Sequence, residues 1–397
     1  MAHERTRAFV YSFASVLYFS EGLPYGIVNE LAPVYLRFQH VELKIIGLIS
    51  SSVSLAWTLK FLWSPLVDTF GTYRRWIAGA LIAMMVALAG LAATVGHLNT
   101  STFFLFVGIL AIASATQDIA VDAFTIRITP NALLGPVNSI RVTAYRIALM
   151  VGGGALTALA GKTTWHAAFV AAAIISAAIF LLTWSLPDDR GERIERANFV
   201  KDLLHWLKRP RAAVLLLVVF LYRLGEFAIV KMIKPYWVDR GYSAAEIGTI
   251  TSVVGVIVSV VGVMIGGAVV AKIGLYRSLI WLGITQIVSN IGYAIVATMH
   301  AGRWAIYAAA VSENLGFGMG VAAFLAFLMA ICDRERAATE YALLSAIFGL
   351  TGALMGAASG YLAQYAGYTA HFWITVLLGI PVLFLLPRIR DVVPDNR

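Results

Sequence analysis

Long runs of apolar residues, separated by short polar intervals, extend along the chain from Ala8 to Phe384. A helix needs about 20 mostly apolar residues to cross the hydrocarbon core of a bilayer, and most of the runs reach that length. Barrel strands would instead alternate apolar and polar residues over segments of about 10 residues. Because backbone polar groups in lipid must be satisfied within their own segment, the runs predict an all-α membrane protein.

The runs predict twelve transmembrane helices. They lie at 8–36, 44–65, 76–96, 102–125, 137–160, 165–186, 212–238, 245–270, 276–298, 303–331, 339–365 and 368–387. The longest polar interval runs from Pro187 to Arg211. We therefore expect an N-terminal six-helix bundle over 1–186, a cytoplasmic linker over 187–211 and a C-terminal six-helix bundle over 212–397.

The two halves resemble repeats of one another. Helix 1 ends with Pro33–Leu36, and Gly47 follows 14 residues after the proline. Helix 7 ends with Pro235–Val238, and Gly248 follows 13 residues after its proline. Because each half has an even number of helices, the repeats are parallel, and the axis that relates them is expected along the membrane normal. Transporters of the major facilitator type are built in this way, with the substrate site between the halves near the midplane.

Composition and charge agree with a membrane protein. The 397 residues are 60% hydrophobic and 13% charged, whereas roughly a quarter of the residues of a soluble domain are charged. With both termini placed in the cytoplasm, 19 Lys and Arg residues fall on the cytoplasmic side and 5 on the other. This bias sets the orientation, and it explains the net charge of +9 without a nucleic-acid partner. The single cysteine, Cys332, excludes an internal disulfide framework.

Ionisable residues inside predicted membrane helices are expensive, so each is a candidate for function. In the facilitator fold helices 1, 4, 7 and 10 line the cavity, and the intramembrane charges concentrate there. They are Glu21 and Glu30 in helix 1, Asp118 and Asp122 in helix 4, Arg223, Glu226, Lys231 and Lys234 in helix 7, and Glu313 in helix 10. The outer helices 3, 6, 9 and 12 carry none at membrane depth, since Arg277 at the start of helix 9 counts with the cytoplasmic residues. This distribution predicts a polar central cavity.

Asp118 and Asp122 are four residues apart and therefore share one helix face. Two neighbouring carboxylates at low dielectric do not both ionise easily, which suits a proton-coupling site. The alternative is a salt-bridged gate, because Lys60, Arg141 and Arg146 are expected at a similar depth. The sequence leaves both interpretations open, and an alternating gate would use both.

Glu21 lies in the middle of helix 1, beside Gly22 and Pro24. Proline removes one backbone hydrogen bond, and the opened helix and Glu21 could then contact a proton or cargo. The alternative is a simple kink with Glu21 paired to Arg223. Arg223 and Glu226 are three residues apart on nearly one face, where they either contact substrate or neutralise each other.

Further candidates for substrate binding lie in helices 7 and 10. Lys231 and Lys234 would attract an anionic solute, or would instead reach the lipid headgroups. Glu313-Asn314 precedes Gly316, Gly318 and Gly320, which permit close helix packing. Packing explains the glycines but leaves Glu313 unexplained, and the Asn314 amide suits sugar hydroxyls or amides.

The loop after helix 2, from Pro65 to Arg75, resembles the facilitator signature of a small residue, Asp, Gly and paired Arg. Asp68, with Arg74 and Arg75, would act there as a conformational latch. The alternative is a solvated turn whose arginines only follow the positive-inside rule.

Three longer stretches resemble the AmpG muropeptide permeases of the peptide and acetyl-CoA transporter family. They are Lys44–Asp68, Ser114–Phe124, which contains the Gln117-Asp118-Ile119 motif, and Glu313–Ala346. Gly22-Leu23-Pro24 and Tyr222–Phe227 add to the resemblance. Gln117 joins the candidate substrate-binding residues through this motif.

The resemblance implies proton-driven uptake of cell-wall fragments, the N-acetylglucosaminyl-anhydro-muropeptides, into the cytoplasm. We expect a monomer in a bacterial inner membrane, and no cofactor or metal. An alternative is the same fold with another anionic cargo, such as acetyl-CoA or a ferric siderophore. An intramembrane enzyme or a receptor is a remote alternative. An enzyme would need a paired nucleophile and base or metal ligands, and a receptor would need a soluble output domain.

Overall fold

A computed structural model describes residues 2–97, 99–129, 134–183, 208, 211–331 and 337–393. Helices joined by short turns make up this part of the chain, and no strand occurs within it. Most of the predicted linker 187–211 lies outside the described residues, as does Cys332.

The first six helical segments follow the predicted runs. Helix α1 covers 2–38 and includes a π-helical turn at Ile27–Leu31. Helix α2 covers 43–69, including a 3-10 turn at Lys60–Leu62. They are followed by α3 (Tyr73–Thr94), α4 (Thr100–Ile128), α5 (134–162, with a π-helical turn at Met150–Ala155) and α6 (Trp165–Thr183).

The second six segments follow the same order. They are α7 (212–239), α8 (244–273), α9 (Leu275–Thr298), α10 (Arg303–Ala330), α11 (337–366) and α12 (368–389). The boundary between α11 and α12 is Gly367, whose φ of 80° is readily accessible to glycine and strained for other residues.

Nine of the helices in the described residues are long and apolar enough to cross a membrane. One of these is the combined stretch Leu344–Ile389, which bends at Gly367 and contains two segments. The apolar part of α2, Leu43–Leu59, is shorter, and α1 is interrupted by its π-helical turn and polar residues. With these two, the described chain has the twelve predicted helical segments, and the all-α membrane fold is confirmed.

The chain divides into two compact units. The first comprises Met1–Val41, Ser52–Ile194 and Trp237–Val253. Its core packs α1, α3, α4, α5 and α6 around side chains such as Tyr18, Ile77 and Phe124, which are nearly inaccessible to solvent.

The second unit comprises Glu42–Ser51, Glu195–Tyr236 and Val254–Arg397. Its core includes Tyr222, Leu279, Phe324 and Phe327 from α7, α9 and α10. The rings of Tyr222 and Phe324 are stacked, with centroids 5.4 Å apart. Burial of these rings and the surrounding aliphatic side chains fixes the positions of the polar residues that these helices also carry.

The repeated Pro-to-Gly motif has a matching structural role in each half. Gly47 packs so closely on α11 that a Cβ atom there would lie 2.8 Å from Cα of Gly360. Gly248 packs on α5, where a Cβ atom would lie 2.7 Å from the backbone nitrogen of Ala158. The absence of a side chain at Gly47 and at Gly248 therefore permits close helix contacts.

Candidate functional site

The first unit holds a group of ionisable side chains inside its helix bundle, which we call the first cluster. It consists of Tyr18, Glu21, Lys60, Asp118, Asp122 and Arg141. Asp122 lies at the centre of a hydrogen-bond network in this cluster. Its Oδ1 atom accepts hydrogen bonds from the Tyr18 hydroxyl at 2.6 Å and from the Arg141 guanidinium at 2.8 Å. The Arg141 guanidinium also lies 4.3 Å from the centroid of the Tyr18 ring, a cation–π contact.

Asp118 has a different basic partner. Its Oδ2 atom forms an ion pair with the ammonium group of Lys60 on α2. The Asp118 side chain is 8% exposed, whereas the Lys60 side chain is 32% exposed. The carboxylate therefore needs the ion pair to offset its burial, whereas the ammonium group can still be hydrated. The structure thus has a separate ion pair for each aspartate, which is the arrangement expected of a salt-bridged gate.

Glu21 differs from both aspartates, because its Oε2 atom is buried without a hydrogen-bond partner among the described residues. Its electrostatic neighbours are Asp122, Lys60 and Arg141. The two cations already pair with the two aspartates, so Glu21 is the third carboxyl group of a cluster with two positive charges. One bound proton would balance the charges of this cluster.

Gln117 lies next to the first cluster, whereas Arg146 has no contact with it among the described residues. Gln117 is fully buried and donates a 2.6 Å hydrogen bond from Nε2 to the Ser20 hydroxyl. This contact joins α4 to α1 next to Glu21. Arg146 is half-buried on α5, slightly more than one helical turn after Arg141.

The second unit holds a comparable group, which we call the second cluster. It consists of Arg223, Glu226, Lys234, Gln286, Glu313 and Asn314. Arg223 and Glu226 are each 1% exposed. The Arg223 guanidinium lies 4.5 Å from the centroid of the Phe317 ring, and Glu226 accepts a 3.0 Å hydrogen bond from Nε2 of Gln286.

Glu313 connects α10 to this cluster. It is 3% exposed, and its Oε2 atom accepts a 2.9 Å hydrogen bond from the Asn314 amide. Its electrostatic neighbours are Glu226, Arg223 and Lys234. Two carboxyl groups and two cations therefore lie together, and their formal charges balance. Burial of such charges is tolerable because each has a neighbour of opposite sign.

The other candidates lie apart from the two clusters. Lys231 is half-buried on α7, one turn before the buried Lys234. Asp68 belongs to the short helix Ser64–Thr69, but its side chain lies outside the described part of the structure. Arg74 is half-buried and Arg75 exposed in the first turn of α3, which Thr72 caps by accepting a hydrogen bond from the Arg75 backbone.

The sequence did not reveal two of the polar partners. Tyr18 of the first cluster could not be distinguished by sequence from other aromatic residues of membrane helices. Its contact with Asp122 depends on the rotation of α1 against α4, which the sequence does not give. Gln286 in the second cluster lies on α9, which was expected among the outer helices without intramembrane charges. A glutamine in a long apolar run was the available signal, because buried amides require hydrogen-bond partners.

Twelve helical segments that carry two clusters of buried and half-buried ionisable side chains define a multi-pass membrane transporter. Polar groups buried inside membrane bundles typically mark substrate or ion pathways. Comparisons with known proteins assign the family. The model of the Major Facilitator Superfamily matches residues 14–339 and 215–397. The chain is 31% identical over 398 residues to the anhydromuropeptide permease of Escherichia coli K12, with 96% of this chain and 80% of the permease covered.

The chain therefore belongs to the Major Facilitator Superfamily and, within it, to the AmpG-like permeases. A transporter named AmpG 4 from Rickettsia conorii is 27% identical over 384 residues, with 92% of each chain covered. These relatives are permeases and transporters, and the protein is a transporter of a small molecule, not an enzyme.

Solved structures show the same fold. A bacterial homologue of the human lysosomal transporter Spinster aligns with a TM-score of 0.77 at 13% identity, covering 99% of both chains. A D-xylose–proton symporter aligns with a TM-score of 0.74 at 12% identity, covering 99% of this chain and 98% of that one. At this level of identity the similarity concerns the fold alone.

Proposed function

We propose that this protein is a proton-coupled secondary transporter that imports anhydro-muropeptides, anionic cell-wall glycopeptides, into the cytoplasm by alternating access. The observation that carries the proposal is the charge imbalance of the first cluster, where three carboxyl groups are accompanied by two cations. The cargo is inferred from the 31% identity to the anhydromuropeptide permease, which extends over 96% of the chain.

Glu21 is the proton carrier in this proposal. A buried charge without a partner is costly in a membrane, whereas a neutral carboxylic acid is much less so. Glu21 has the unpartnered oxygen, while Asp118 and Asp122 have cations of their own. A proton that binds Glu21 neutralises the excess charge, and its release restores that charge.

Asp118 and Asp122 act with Lys60 and Arg141 as the gate of the first unit. When Glu21 loses its proton, its carboxylate competes for Arg141 and Lys60. The ion pairs would then rearrange, and this coupling joins the protonation state to the conformation. Arg146 is a reserve partner on the same helix as Arg141.

The second cluster binds the anionic part of the cargo. Arg223 and Lys234 supply positive charge for the cargo. Glu226 and Glu313 balance this charge when no cargo is bound. Asn314 offers an amide to the cargo. Lys231, one turn before Lys234 on α7, and Gln117, beside the first cluster, complete the proposed set.

The remaining parts of the proposal concern the whole molecule. The functional halves are the six-helix bundles 1–186 and 212–397, both termini are cytoplasmic, and the protein works as a monomer in a bacterial inner membrane. The bias of 19 to 5 in Lys and Arg supports this orientation. The loop with Asp68, Arg74 and Arg75 acts as a latch at the cytoplasmic end of α2 and α3.

The test is uptake by proteoliposomes with labelled N-acetylglucosaminyl-anhydro-muropeptide under an imposed pH gradient, inside alkaline. We expect accumulation above the external concentration, and its loss when a protonophore collapses the gradient. Acetyl-CoA is the matched anionic competitor, and it should not reduce the uptake. Absence of muropeptide uptake, or uptake of acetyl-CoA in its place, would overturn the cargo assignment.

Glu21→Gln separates coupling from binding. Because glutamine is neutral at every pH, this variant should still exchange labelled for unlabelled cargo across the membrane but should not accumulate it. Glu246→Gln is a matched control at a half-buried glutamate near the start of α8. Accumulation by Glu21→Gln equal to that of the wild type would remove Glu21 from the coupling mechanism.

A further inference from the structure

Three aromatic side chains of the first unit lie one helical turn from members of the first cluster. Tyr25 follows Glu21 by four residues on α1, Trp57 precedes Lys60 by three on α2, and Tyr145 follows Arg141 by four on α5. The ring centroids of Tyr25 and Trp57 are 5.0 Å apart, edge to face, and those of Tyr25 and Tyr145 are 6.3 Å apart. We call these three residues the aromatic tier.

A pair of polar side chains lies on the next turn beyond the aromatic tier. Asn29 follows Tyr25 by four residues, and Ser54 precedes Trp57 by three. The hydroxyl of Ser54 is 3.5 Å from Oδ1 of Asn29. The adjoining helices therefore carry ionisable groups, aromatic rings and then an amide with a hydroxyl on successive turns.

The aromatic tier differs from the aromatic core of the same unit. Tyr35, Phe103 and Phe169 contact one another and are 0% exposed, as expected of packing residues. Tyr25, Trp57 and Tyr145 are only half-buried. These residues keep part of their surface accessible, and hydrogen-bonding groups lie on the helical turns to either side of them. Packing alone does not require this combination.

We propose that the aromatic tier is a subsite for a sugar ring. A pyranose is amphipathic, because its axial C–H bonds form apolar faces and its hydroxyl and acetamido groups lie around the edge. The faces suit the rings of Trp57 and Tyr25, and the edge groups suit the amide of Asn29 and the hydroxyl of Ser54. Asn29 and Ser54 already hydrogen-bond to each other, and Asn29 also donates to the Tyr25 carbonyl. A sugar could add hydrogen bonds to these groups, which a purely apolar ligand could not, and a purely ionic ligand would not use the rings.

This inference rests on the proposed function, and it assigns a part of the cargo to a place in the first unit. The disaccharide of the glycopeptide would contact the aromatic tier. Its anionic peptide would not contact the aromatic tier. Specificity for glycosylated over free peptides would then arise at Trp57, Tyr25 and Tyr145, apart from the groups that carry the proton.

The experiment measures binding of two probes to the purified full-length chain in detergent, by quenching of tryptophan fluorescence and by competition against labelled glycopeptide. The probes are the N-acetylglucosaminyl-anhydro-N-acetylmuramic acid disaccharide and the free stem peptide. The variants are Trp57→Leu, Trp57→Phe, Tyr145→Leu and Tyr145→Phe. Trp281→Leu, at a 61% exposed tryptophan of α9, is the matched control.

Loss of a stacking ring should weaken disaccharide binding about tenfold in Trp57→Leu and Tyr145→Leu. Peptide binding should change by about twofold at most. The Phe variants keep a ring and should retain most of the affinity, which also shows that the site is still folded. Quenching by the disaccharide should be reduced in Trp57→Phe, because its fluorophore is removed, while affinity measured by competition persists.

The two proposals fail in different ways. If the wild-type chain binds the disaccharide through Trp57 but imports no glycopeptide, the subsite stands and the transport proposal falls. If it imports glycopeptide but the disaccharide does not bind, the subsite is wrong. Equal weakening of disaccharide and peptide by Trp57→Leu would also overturn it, because a structural role of the ring predicts that result.

Discussion

The hydroxyl of Tyr18 donates a 2.6 Å hydrogen bond to the carboxylate of Asp122, and both residues also contact Arg141. Tyr18 thus holds an acid and a base of the first cluster in one arrangement. A hydrogen bond to a charged group typically contributes about 1.5–3 kcal/mol. The relationship joins α1, which carries Glu21, to the ion pair between α4 and α5.

Tyr18→Phe removes this hydrogen bond and keeps the ring under Arg141. We expect a lower melting temperature and slower accumulation of cargo, because the Asp122 carboxylate loses one hydrogen bond and is less firmly held in its ion pair with Arg141. Tyr18→Leu, which also removes the cation–π contact, should have a larger effect on both measurements. Tyr11→Phe, on the same helix, is the control. Wild-type accumulation by Tyr18→Phe would show that the hydrogen bond has no part in transport.

The Lys60–Asp118 pair should respond unequally to removal of either partner. Lys60→Met leaves a carboxylate that is 8% exposed, and the expected loss is on the order of 3 kcal/mol in the free energy of unfolding. Asp118→Asn leaves a lysine that is 32% exposed and can reach water, so the loss should be about 1 kcal/mol.

The double variant Lys60→Met/Asp118→Asn removes both charges and should be more stable than Lys60→Met alone. Thermal unfolding in detergent measures all three variants under the same conditions. An additive double variant would contradict a direct ion pair, because residues in contact give non-additive changes.

The lengths of the apolar runs and the positions of the charges were sufficient to predict the fold. They predicted only part of the candidate site. The ends of α4 and α7 follow the sequence closely, because in a membrane a polar interval ends a span. The sequence also brought Asp118, Asp122, Lys60 and Arg141 to one depth. It did not decide between a shared proton and two ion pairs, since the helical period gives a shared face but not the rotation of α2 and α5 toward it.

Close packing between α1 and α5 provides a prediction about stability. A Cβ atom on Gly26 would lie 2.9 Å from the backbone nitrogen of Gly153. Gly26→Ala should therefore separate the two helices and cost about 1–3 kcal/mol. Gly79→Ala is the matched control, because a Cβ atom there meets nothing within 4 Å, and it should instead raise stability by up to about 1 kcal/mol through helix propensity. Melting temperatures of the two variants should move in opposite directions, and a parallel shift would contradict the packing argument.

The charge balance of the second cluster makes Gln286 a sensitive position. Gln286 donates a hydrogen bond to Glu226, in a cluster where two carboxyl groups accompany two cations. Gln286→Glu places a third carboxyl group beside Arg223, so it should compete with an anionic cargo and raise KM about tenfold or more with a smaller change in kcat. Gln286→Met is nearly isosteric and neutral, and it should lose stability through the unpaired Glu226 while KM changes less. Uptake measured over a range of cargo concentrations separates the two effects. If both variants raise KM equally, the charge of the cluster does not determine affinity, and the second cluster would then not be the site of the anionic group.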